Sequence, residues 1–292
     1  DNRSSRGLGD VYKRQMETPG ELVRGGDSSV ILKVENLHFR WGANEVLKNI
    51  NFDVSGNEMV AILGKNGAGK TTLIKCLNRI NQLNEGKVTI ASKDVSKMPL
   101  LDLSKSISYV PQTVRTSFPM EVFDVLMLGR RPHISWRTSP LDKDVVSQTL
   151  RQFGLEELAF RRFDRLSGGE RQRVVIAKAV VQDPSIYLLD EPTSDLDLWT
   201  QLLTMDTIRN IINDSRSEKS AIFAIHDINI AARYSDRVML LHEGEILADG
   251  PPEDVITRSN IAKVFGVECD ITQATNDRSM NVVIGKPITK RM

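Results

Sequence analysis

One segment of the sequence has the residue types and spacing of a phosphate-binding loop. It matches the pattern G-x-x-x-x-G-K-[ST] and reads Gly64, Lys65, Asn66, Gly67, Ala68, Gly69, Lys70 and Thr71. The glycines let backbone N–H groups turn toward phosphate oxygens, and the helix that follows directs the positive end of its dipole at them. Lys70 can reach the β and γ phosphates, and the Thr71 hydroxyl can ligate Mg²⁺. We therefore predict that this segment, together with Thr72, binds ATP and Mg²⁺; a fortuitous glycine-rich turn is the alternative.

A second segment is an apolar run that ends in two carboxylates. Residues 186–191 read Ile-Tyr-Leu-Leu-Asp-Glu. A buried strand at this position delivers Asp190 to the coordination sphere of Mg²⁺, directly or through water. Glu191 then stands where a general base polarises the attacking water. The alternative is a strand that stops at a solvated acidic turn, and the phosphate-loop pattern makes that interpretation the weaker one.

A third segment predicts a second anion site. Residues 166–170 read Leu-Ser-Gly-Gly-Glu and open a helical pattern that runs from about Gly169 to Val181. Ser167, Gly168 and Gly169 expose backbone N–H groups and the positive end of the helix dipole. A serine-capped helix with a flexible glycine pair is the common alternative.

This third segment, continued by Arg171-Gln172-Arg173, resembles the signature sequence of ABC-type ATPases, and the motifs follow one another in family order over about 30–266. The resemblance implies ATP hydrolysis and an α/β fold of the P-loop NTPase class. That fold has a RecA-like parallel sheet core, an antiparallel β subdomain and an α-helical signature subdomain at about 113–183. The resemblance also implies a head-to-tail homodimer, because one chain already has a complete phosphate loop. ATP then lies between that loop in one chain and Ser167 and Gly169 in the other.

The resemblance assigns roles to residues in the remaining motifs. Gln112, after a predicted strand, corresponds to the Q-loop glutamine, which touches the metal and the water and senses the transmembrane partner. His226 corresponds to the switch histidine, which contacts the γ-phosphate. The catalytic residues implied are therefore Glu191, His226 and Lys70. A lone histidine at a strand end is otherwise more often a satisfied polar residue.

Two further positions are nucleotide contacts by resemblance. Trp41 lies where the family places an aromatic residue that stacks on adenine, and a core tryptophan is the alternative. Residues 194–197 read Ser-Asp-Leu-Asp and match the D-loop, with Asp197 as the residue assigned to the nucleotide. Asp195 departs from the family, in which a small residue is commoner. This extra carboxylate near a subunit boundary either weakens the closed dimer or pairs with a local basic residue.

A finer resemblance concerns the cargo. Residues 122–133 (VFDVLMLGRRPH) resemble the stretch after the Q-loop in importers of iron–siderophore, haem and cobalamin, and 264–267 (VFGV) point the same way. The resemblance implies a peripheral subunit at the cytoplasmic face of the membrane, with permease subunits and a periplasmic or lipid-anchored substrate-binding protein. The stretch is then expected to be an apolar surface with arginines that grips a coupling helix of the permease. An amphipathic helix with Leu126 and Met127 packed inward is the alternative.

Other functional interpretations stay open at this point. They are an ABC ATPase of another importer or of an exporter, a non-transport ABC ATPase that acts on ribosomes or DNA, and a P-loop kinase or GTPase that acts alone. The last of these leaves 166–170 unexplained. The formal net charge of +1 offers no argument for nucleic acid, so we expect no nucleic-acid partner.

The elements that must position these residues follow from the hydrophobic pattern. Strands are predicted at 30–41, 50–54, 58–63, 87–90, 107–110, 185–189, 220–225 and 237–241. A helix is predicted at about 70–79, and the section 119–183 is mostly helical by pattern. Alternating strands and helices are typical of a mainly parallel sheet with crossover helices.

Length and composition fit one large α/β domain. The 292 residues are 40% apolar and 26% charged, and no stretch approaches the roughly 18 to 20 apolar residues of a membrane-spanning helix. Cys76 and Cys269 are predicted to be buried reduced thiols, and a disulfide between them stays open. Residues 1–15 are predicted to be an extension foreign to the fold before a start at Met16, followed by a disordered lead-in to residue 29. Residues 267–292 are predicted to be a C-terminal extension.

Overall fold

The computed structural model describes residues 30–113, 119–214, 217–273 and 280–288. The predicted non-native or disordered segment 1–29 lies outside the described residues. Within these ranges, each helix is too short or too polar to cross a lipid bilayer.

The described residues form twelve strands and nine α-helices. The strands are β1 (Val30–Trp41), β2 (Asn44–Ser55), β3 (Met59–Leu63), β4 (Glu85–Ile90), β5 (Lys93–Asp94), β6 (Ile107–Val110), β7 (Ile186–Asp190), β8 (Ser220–Ile225), β9 (Arg237–His242), β10 (Glu245–Gly250), β11 (Val267–Gln273) and β12 (Met280–Pro287). The helices are α1 (Lys70–Leu77), α2 (Leu100–Ser106), α3 (Val122–Gly129), α4 (Pro140–Gln152), α5 (Gly168–Val181), α6 (Leu198–Ile212), α7 (Ile228–Tyr234), α8 (Pro252–Val255) and α9 (Arg258–Phe265).

The central sheet has the strand order β10-β9-β3-β8-β7-β6. Strands β9, β3, β8, β7 and β6 are mutually parallel, and β10 adds to the edge in the antiparallel direction. The carboxyl ends of parallel strands meet at one edge of a sheet, which is where open α/β proteins bind ligands. The predicted site residues Gly64, Gln112, Glu191 and His226 all follow such ends, after β3, β6, β7 and β8 respectively.

A second, antiparallel sheet has the order β2-β1-β4-β5. Strands β1 and β2 form a hairpin that closes at the pair Trp41 and Asn44. Gly42 supplies the left-handed backbone of its turn, with φ of 57°. Strand β2 begins six residues before its predicted start at Ile50, because pairing with β1 extends it through a polar stretch that shows no alternation.

The parallel sheet separates two hydrophobic layers. Val60 and Ile62 of β3 pack, with α1, against the antiparallel sheet. Met59, Ala61 and Leu63 of the same strand pack against the other layer, which contains α3 to α7 and α9. All five side chains are fully buried, so the strand reads as a continuous apolar run. The parallel core, the antiparallel subdomain and the helical segment confirm the predicted fold class.

The helical segment contains α3, α4 and α5, and α3 packs closely on α5. A Cβ added at Gly129 would lie 2.4 Å from the Lys178 carbonyl oxygen, so only glycine permits this approach. The next residue, Arg130, is buried, and its guanidinium donates to Asp142 Oδ1 at 3.1 Å and to the Val181 carbonyl at 2.8 Å. The expectation that the arginines of 122–133 lie on a surface is therefore wrong for Arg130 and holds for the exposed Arg131. Desolvation of a guanidinium is tolerated here because each buried donor group has an acceptor.

The last two described strands, β11 and β12, form an antiparallel hairpin that contacts α9 and α7. Cys269 of β11 and Val282 of β12 are buried in the same hydrophobic layer as α7. This hairpin and β10 are absent from the predicted strands. Both cysteines are buried and free, which confirms the prediction of reduced thiols.

Candidate functional site

A cavity of about 500 Å³ lies at the carboxyl edge of the parallel sheet. Its lining residues are Val46, Asn66, Gly67, Gly69, Lys70, Thr71, Thr72, Gln112, Glu191 and His226. Nine of these ten were predicted from the sequence. The structure therefore brings together the phosphate loop, the glutamine after β6, the carboxylate after β7 and the histidine after β8.

The phosphate loop owes its shape to its glycines. Gly67 and Gly69 have φ values of 84° and 107°, in the left-handed region that side chains rarely adopt. A Cβ at Gly64 would lie 2.4 Å from the Leu241 carbonyl oxygen, and a Cβ at Gly69 would lie 2.9 Å from a methyl carbon of Leu47. The loop is thus pressed between β9 and β2. Lys65, although exposed, and the buried Ala68 belong to the loop without lining the cavity.

The Lys70 side chain is folded into this loop and is almost fully buried. Its Nζ donates to the Gly64 carbonyl at 2.7 Å and to the Lys65 carbonyl at 3.3 Å. Burial lowers the pKa of the Lys70 ammonium, and the charges of Glu191 and Asp190 oppose that shift. A cation held in a poorly solvated loop interacts strongly with any phosphate that enters it.

Thr71 and Asp190 form a direct pair beside the loop. The Thr71 hydroxyl donates to Asp190 Oδ1 at 2.9 Å. Burial raises the pKa of Asp190, and the hydrogen bond from Thr71 lowers it in part. Nearby, burial and the Asp190 charge raise the pKa of the Tyr109 hydroxyl to about 12. A hydroxyl and a carboxylate are the hard oxygen donors that Mg²⁺ prefers, usually with phosphate and water completing its shell.

No cluster of three or more histidine, cysteine, aspartate or glutamate side chains that could hold a metal ion occurs among the described residues. Two protein oxygens, those of Thr71 and Asp190, are a donor set that suits Mg²⁺ when phosphate and water supply its other ligands. Gln112, the third predicted metal ligand, makes its hydrogen bond to Glu191. Its assignment to the metal stays a prediction.

Glu191 is held by three elements. Its backbone has a left-handed φ of 47°, and its N–H donates to the Ala224 carbonyl at 3.0 Å. Gln112 Nε2 donates to Glu191 Oε2 at 2.9 Å, and His226 Nδ1 lies 3.4 Å from the same oxygen. A non-glycine residue in this conformation costs free energy, and such strain concentrates at functional sites. The arrangement places a carboxylate on the cavity wall, where it can accept a proton from a water molecule.

The signature residues Ser167, Gly168 and Gly169 stand at the amino terminus of α5 and do not line this cavity. Ser167 caps the helix by accepting from Glu170 N–H at 3.3 Å, while Ser167 N–H donates to the Glu170 carboxylate at 2.8 Å. Ser167 and Gly168 are exposed, and a Cβ at Gly168 would meet open space. The exposed residues of this helix start are therefore not part of the cavity lining of their own chain.

Trp41 and Asp197, the two remaining predicted nucleotide contacts, also lie outside the cavity lining, as does Asp195, the departure from the family pattern. Trp41 is 61% exposed and meets Phe39 edge-on at 5.0 Å, so the alternative of a core tryptophan is wrong and the adenine contact stays a prediction. Asp197 caps α6 by accepting from Thr200 N–H at 3.0 Å and from the Thr200 hydroxyl at 2.7 Å. Asp195 is exposed, and its carbonyl oxygen lies 3.4 Å from the position of a Cβ on Gly169.

Val46 lines the cavity but was not among the residues predicted from the sequence. It lies in the part of β2 that has no strand pattern, and it reaches the phosphate loop only because the antiparallel sheet folds over that loop. Had the pairing of the first two strands been predicted over all of 30–55, Val46 would have been placed in a strand beside the phosphate loop.

Three comparisons with known proteins agree with this geometry. A family model described as ABC transporter matches residues 47–194. An uncharacterised ABC transporter ATP-binding protein of Methanocaldococcus jannaschii is 43% identical over 88% of this chain and 98% of its own length. The petrobactin import ATP-binding protein FpuC of Bacillus anthracis is 33% identical over 84% of this chain and 90% of its own.

A solved structure extends the likeness to three dimensions. It is described as an inward-facing conformation of a proposed metal-chelate type ABC transporter. Its chain superposes with a TM-score of 0.76 at 29% identity, over 88% of this chain and 98% of that one. This likeness covers more of the chain than residues 47–194, which the family model matches.

Proposed function

This chain belongs to the ABC transporter family of ATP-binding proteins, which are ATPases, and we propose that it energises the import of a metal chelate through separate permease subunits. The chelate classes proposed are iron–siderophore, haem and cobalamin. Support comes from the petrobactin import relative and from the metal-chelate type transporter. The resemblance of 122–133 to such importers points the same way.

The catalytic proposal depends on one observation, that two side chains approach the same carboxylate oxygen of Glu191. Gln112 and His226 both approach Glu191 Oε2, on the cavity wall formed with the phosphate loop. In our proposal Glu191 takes a proton from the attacking water. The water oxygen forms a bond to the γ-phosphorus while the bond from that phosphorus to the β–γ bridging oxygen breaks, which leaves ADP and phosphate.

Other residues of the cavity bind and orient the nucleotide in this proposal. The loop N–H groups and Lys70 hold the β and γ phosphates, and His226 donates a hydrogen bond to the γ-phosphate. Thr71, Asp190 and Gln112 are the proposed ligands of Mg²⁺, which neutralises phosphate charge when it is bound. Trp41 is proposed to stack on adenine.

We propose that two copies share each nucleotide, head to tail. The start of α5 presents the N–H groups of Ser167, Gly168 and Gly169 on a surface that is not part of the cavity of the same chain. In our proposal these groups bind the γ-phosphate of an ATP molecule held in the cavity of a second copy. Asp197 adjoins the same boundary in this arrangement. Closure around ATP is then coupled through Gln112 and the helical segment to the permease, and loss of the γ-phosphate reopens the pair.

The proposed setting is the cytoplasmic face of a membrane, where the chain is a peripheral subunit beside permease subunits and a periplasmic or lipid-anchored substrate-binding protein. Residues 30–266 are the proposed ATPase unit, with the helical subdomain at about 113–183. Residues 267–292 are the proposed extension.

Uptake measurements in the source organism test the cargo proposal. Cells that carry the wild-type chain or Glu191→Gln are given a radiolabelled iron–siderophore, haem or cobalamin. We expect Glu191→Gln to abolish uptake of one class and to spare the other two. Normal uptake of all three, by cells whose purified variant has lost ATP hydrolysis, would refute chelate import and leave the ATPase assignment intact.

A further inference from the structure

The C-terminal hairpin is tied to α7 by one side chain. Asn229 Nδ2 donates to the Val282 carbonyl at 3.2 Å, and Val282 N–H donates to Asn229 Oδ1 at 2.7 Å. In the hairpin register Val282 lies opposite Ile271. Both backbone polar groups of one residue point to the same side of an antiparallel strand, so the Asn229 amide occupies the place of a neighbouring strand on the open edge of β12.

The same asparagine stands close to the histidine of the candidate site. Asp227 caps α7 and accepts from Asn229 N–H at 2.9 Å and from Ile230 N–H at 3.1 Å. His226 directly precedes this cap. Two residues therefore separate the imidazole from the amide that grips the hairpin, and the cap fixes the backbone between them.

The His226 side chain is 58% exposed, and among the described residues its polar contact is the 3.4 Å approach of Nδ1 to Glu191 Oε2. Its position therefore depends mainly on the backbone from which it projects. That backbone is anchored on one side by β8 and on the other by the start of α7.

The hairpin is itself firmly packed at the point of contact. Val282 and Cys269 are buried in one hydrophobic layer with Ile230 and Ala231 of α7 and Ile261 of α9. Burial of these apolar side chains makes displacement of the hairpin costly. The amide of Asn229 is thus held by a strand whose own side chains are anchored in the hydrophobic core.

We propose that the hairpin β11–β12 positions His226 for ATP hydrolysis, with Asn229 as the positioning residue that transmits the constraint. This inference rests on the catalytic role proposed above for His226. Small displacements of a catalytic group are expensive in rate, because the reacting geometry is narrow. The hairpin then completes the active site without touching the nucleotide.

The test compares Asn229→Ala, Asn229→Asp and a hairpin control in the full-length chain. Arg258→Ala is that control, because Arg258 donates at the surface to Asp270 of β11, whereas Asn229 pairs with Val282 of β12. We expect Asn229→Ala to lower kcat roughly tenfold while KM for ATP stays within about twofold, since the lost group acts in the reaction and not in binding. Arg258→Ala should retain wild-type kcat.

Asn229→Asp tests whether a loss of kcat in Asn229→Ala is caused by misfolding. Its carboxylate still accepts from Val282 N–H and favours the amino terminus of α7, but it cannot donate to the Val282 carbonyl. We expect a folded protein whose kcat is reduced, by less than in Asn229→Ala. Wild-type kcat in both variants would overturn the proposal.

A double variant separates positioning from general stability. If Asn229 acts through His226, adding Asn229→Ala to His226→Ala should change kcat by less than about twofold. If the losses in kcat of the two single variants instead multiply in the double variant, Asn229 acts independently of His226 and its role is structural. Full activity of His226→Ala would overturn both the role proposed for His226 and this inference, whereas an inactive His226→Ala beside a fully active Asn229→Ala would overturn the inference alone.

Discussion

The Thr71 hydroxyl donates a hydrogen bond to the Asp190 carboxylate at 2.9 Å, although the two residues are 119 positions apart in the chain. The bond joins the first turn of α1 to the end of β7, so it fixes the phosphate loop against the strand that carries both carboxylates. Burial raises the pKa of Asp190, and the hydrogen bond from Thr71 offsets part of this shift. The pair thus places side by side the two oxygens that we propose as Mg²⁺ ligands.

Replacement of Thr71 by valine should separate metal binding from folding. Thr71→Val removes one proposed oxygen ligand and one hydrogen-bond donor to the buried Asp190 carboxylate, so we expect the apparent affinity for Mg²⁺ to fall about 10- to 100-fold. A Mg²⁺ titration of ATP hydrolysis measures the change. Thr71→Ser keeps the hydroxyl and should stay near the wild type; equal losses in both variants would contradict the ligand role.

Replacement of Glu191 by glutamine should stop turnover and spare nucleotide binding. The amide keeps the size of the side chain but cannot accept a proton, so we expect kcat to fall by about 10²- to 10⁴-fold. ATP affinity, measured by equilibrium binding, should remain because the phosphate loop is unchanged, and ATP should trap a dimer detectable by light scattering. Glu243→Gln alters a largely exposed carboxylate and is the control. Unchanged hydrolysis by Glu191→Gln would refute the base assignment.

Replacement of Ser167 by arginine tests whether two copies share a site. We expect Ser167→Arg to abolish turnover while each monomer still binds ATP, because the variant residue lies outside its own cavity. Ser167→Thr keeps the helix cap and should stay active.

Mixing two inactive variants makes this test more decisive. In a head-to-tail pair of Ser167→Arg and Glu191→Gln, both defects fall in one site and the other site is intact. Random pairing should then restore about a quarter of wild-type activity, since half of the dimers are mixed and each has one good site. A mixture that remains inactive would contradict the shared site.

Local signals explain why much of the site was predictable. The phosphate loop, the apolar strand that ends at Asp190 and the helix start at Ser167 are each contiguous in sequence, so local pattern and family resemblance were enough to predict them. Parallel pairing then requires the ends of β3, β6, β7 and β8 to meet at one edge of the sheet. This is why nine predicted residues line one cavity.

Contacts between distant segments account for what was missed. The approach of Gln112 and His226 to one oxygen of Glu191 depends on strand order, and 79 positions separate Gln112 from Glu191. The burial of Arg130 depends on Asp142 and on the end of α5. A charged residue in a helical pattern is normally exposed, so the sequence predicted Arg130 at the surface. Its pairing with Asp142 instead allows it to be buried.

Arg130 should be a structural residue and its neighbour should not. The side chains of Arg130 and Asp142 are only 8% and 7% exposed, respectively. Removing either one leaves the charge of the other buried and uncompensated. We expect Arg130→Met to lower the free energy of unfolding by about 3 to 5 kcal/mol, measured by urea titration without nucleotide. Arg131→Ala should change it by less than about 0.5 kcal/mol. Comparable effects of the two variants would show that Arg130 is not held as described.

Lys178 should make stability depend on pH. Its side chain is half-buried against α3 and forms no ion pair with any residue that the structure describes, and burial lowers the pKa of its ammonium. In the interval between this lowered pKa and the ordinary value near 10.5, the unfolded chain binds more protons than the folded chain, so stability rises with pH. Lys178→Met removes the buried charge and should stabilise the protein by about 1 kcal/mol at pH 7. The advantage of the variant should shrink as pH rises through that interval in thermal unfolding experiments, and an advantage that stays constant up to the ordinary lysine pKa would show that the ammonium is solvated in the folded protein.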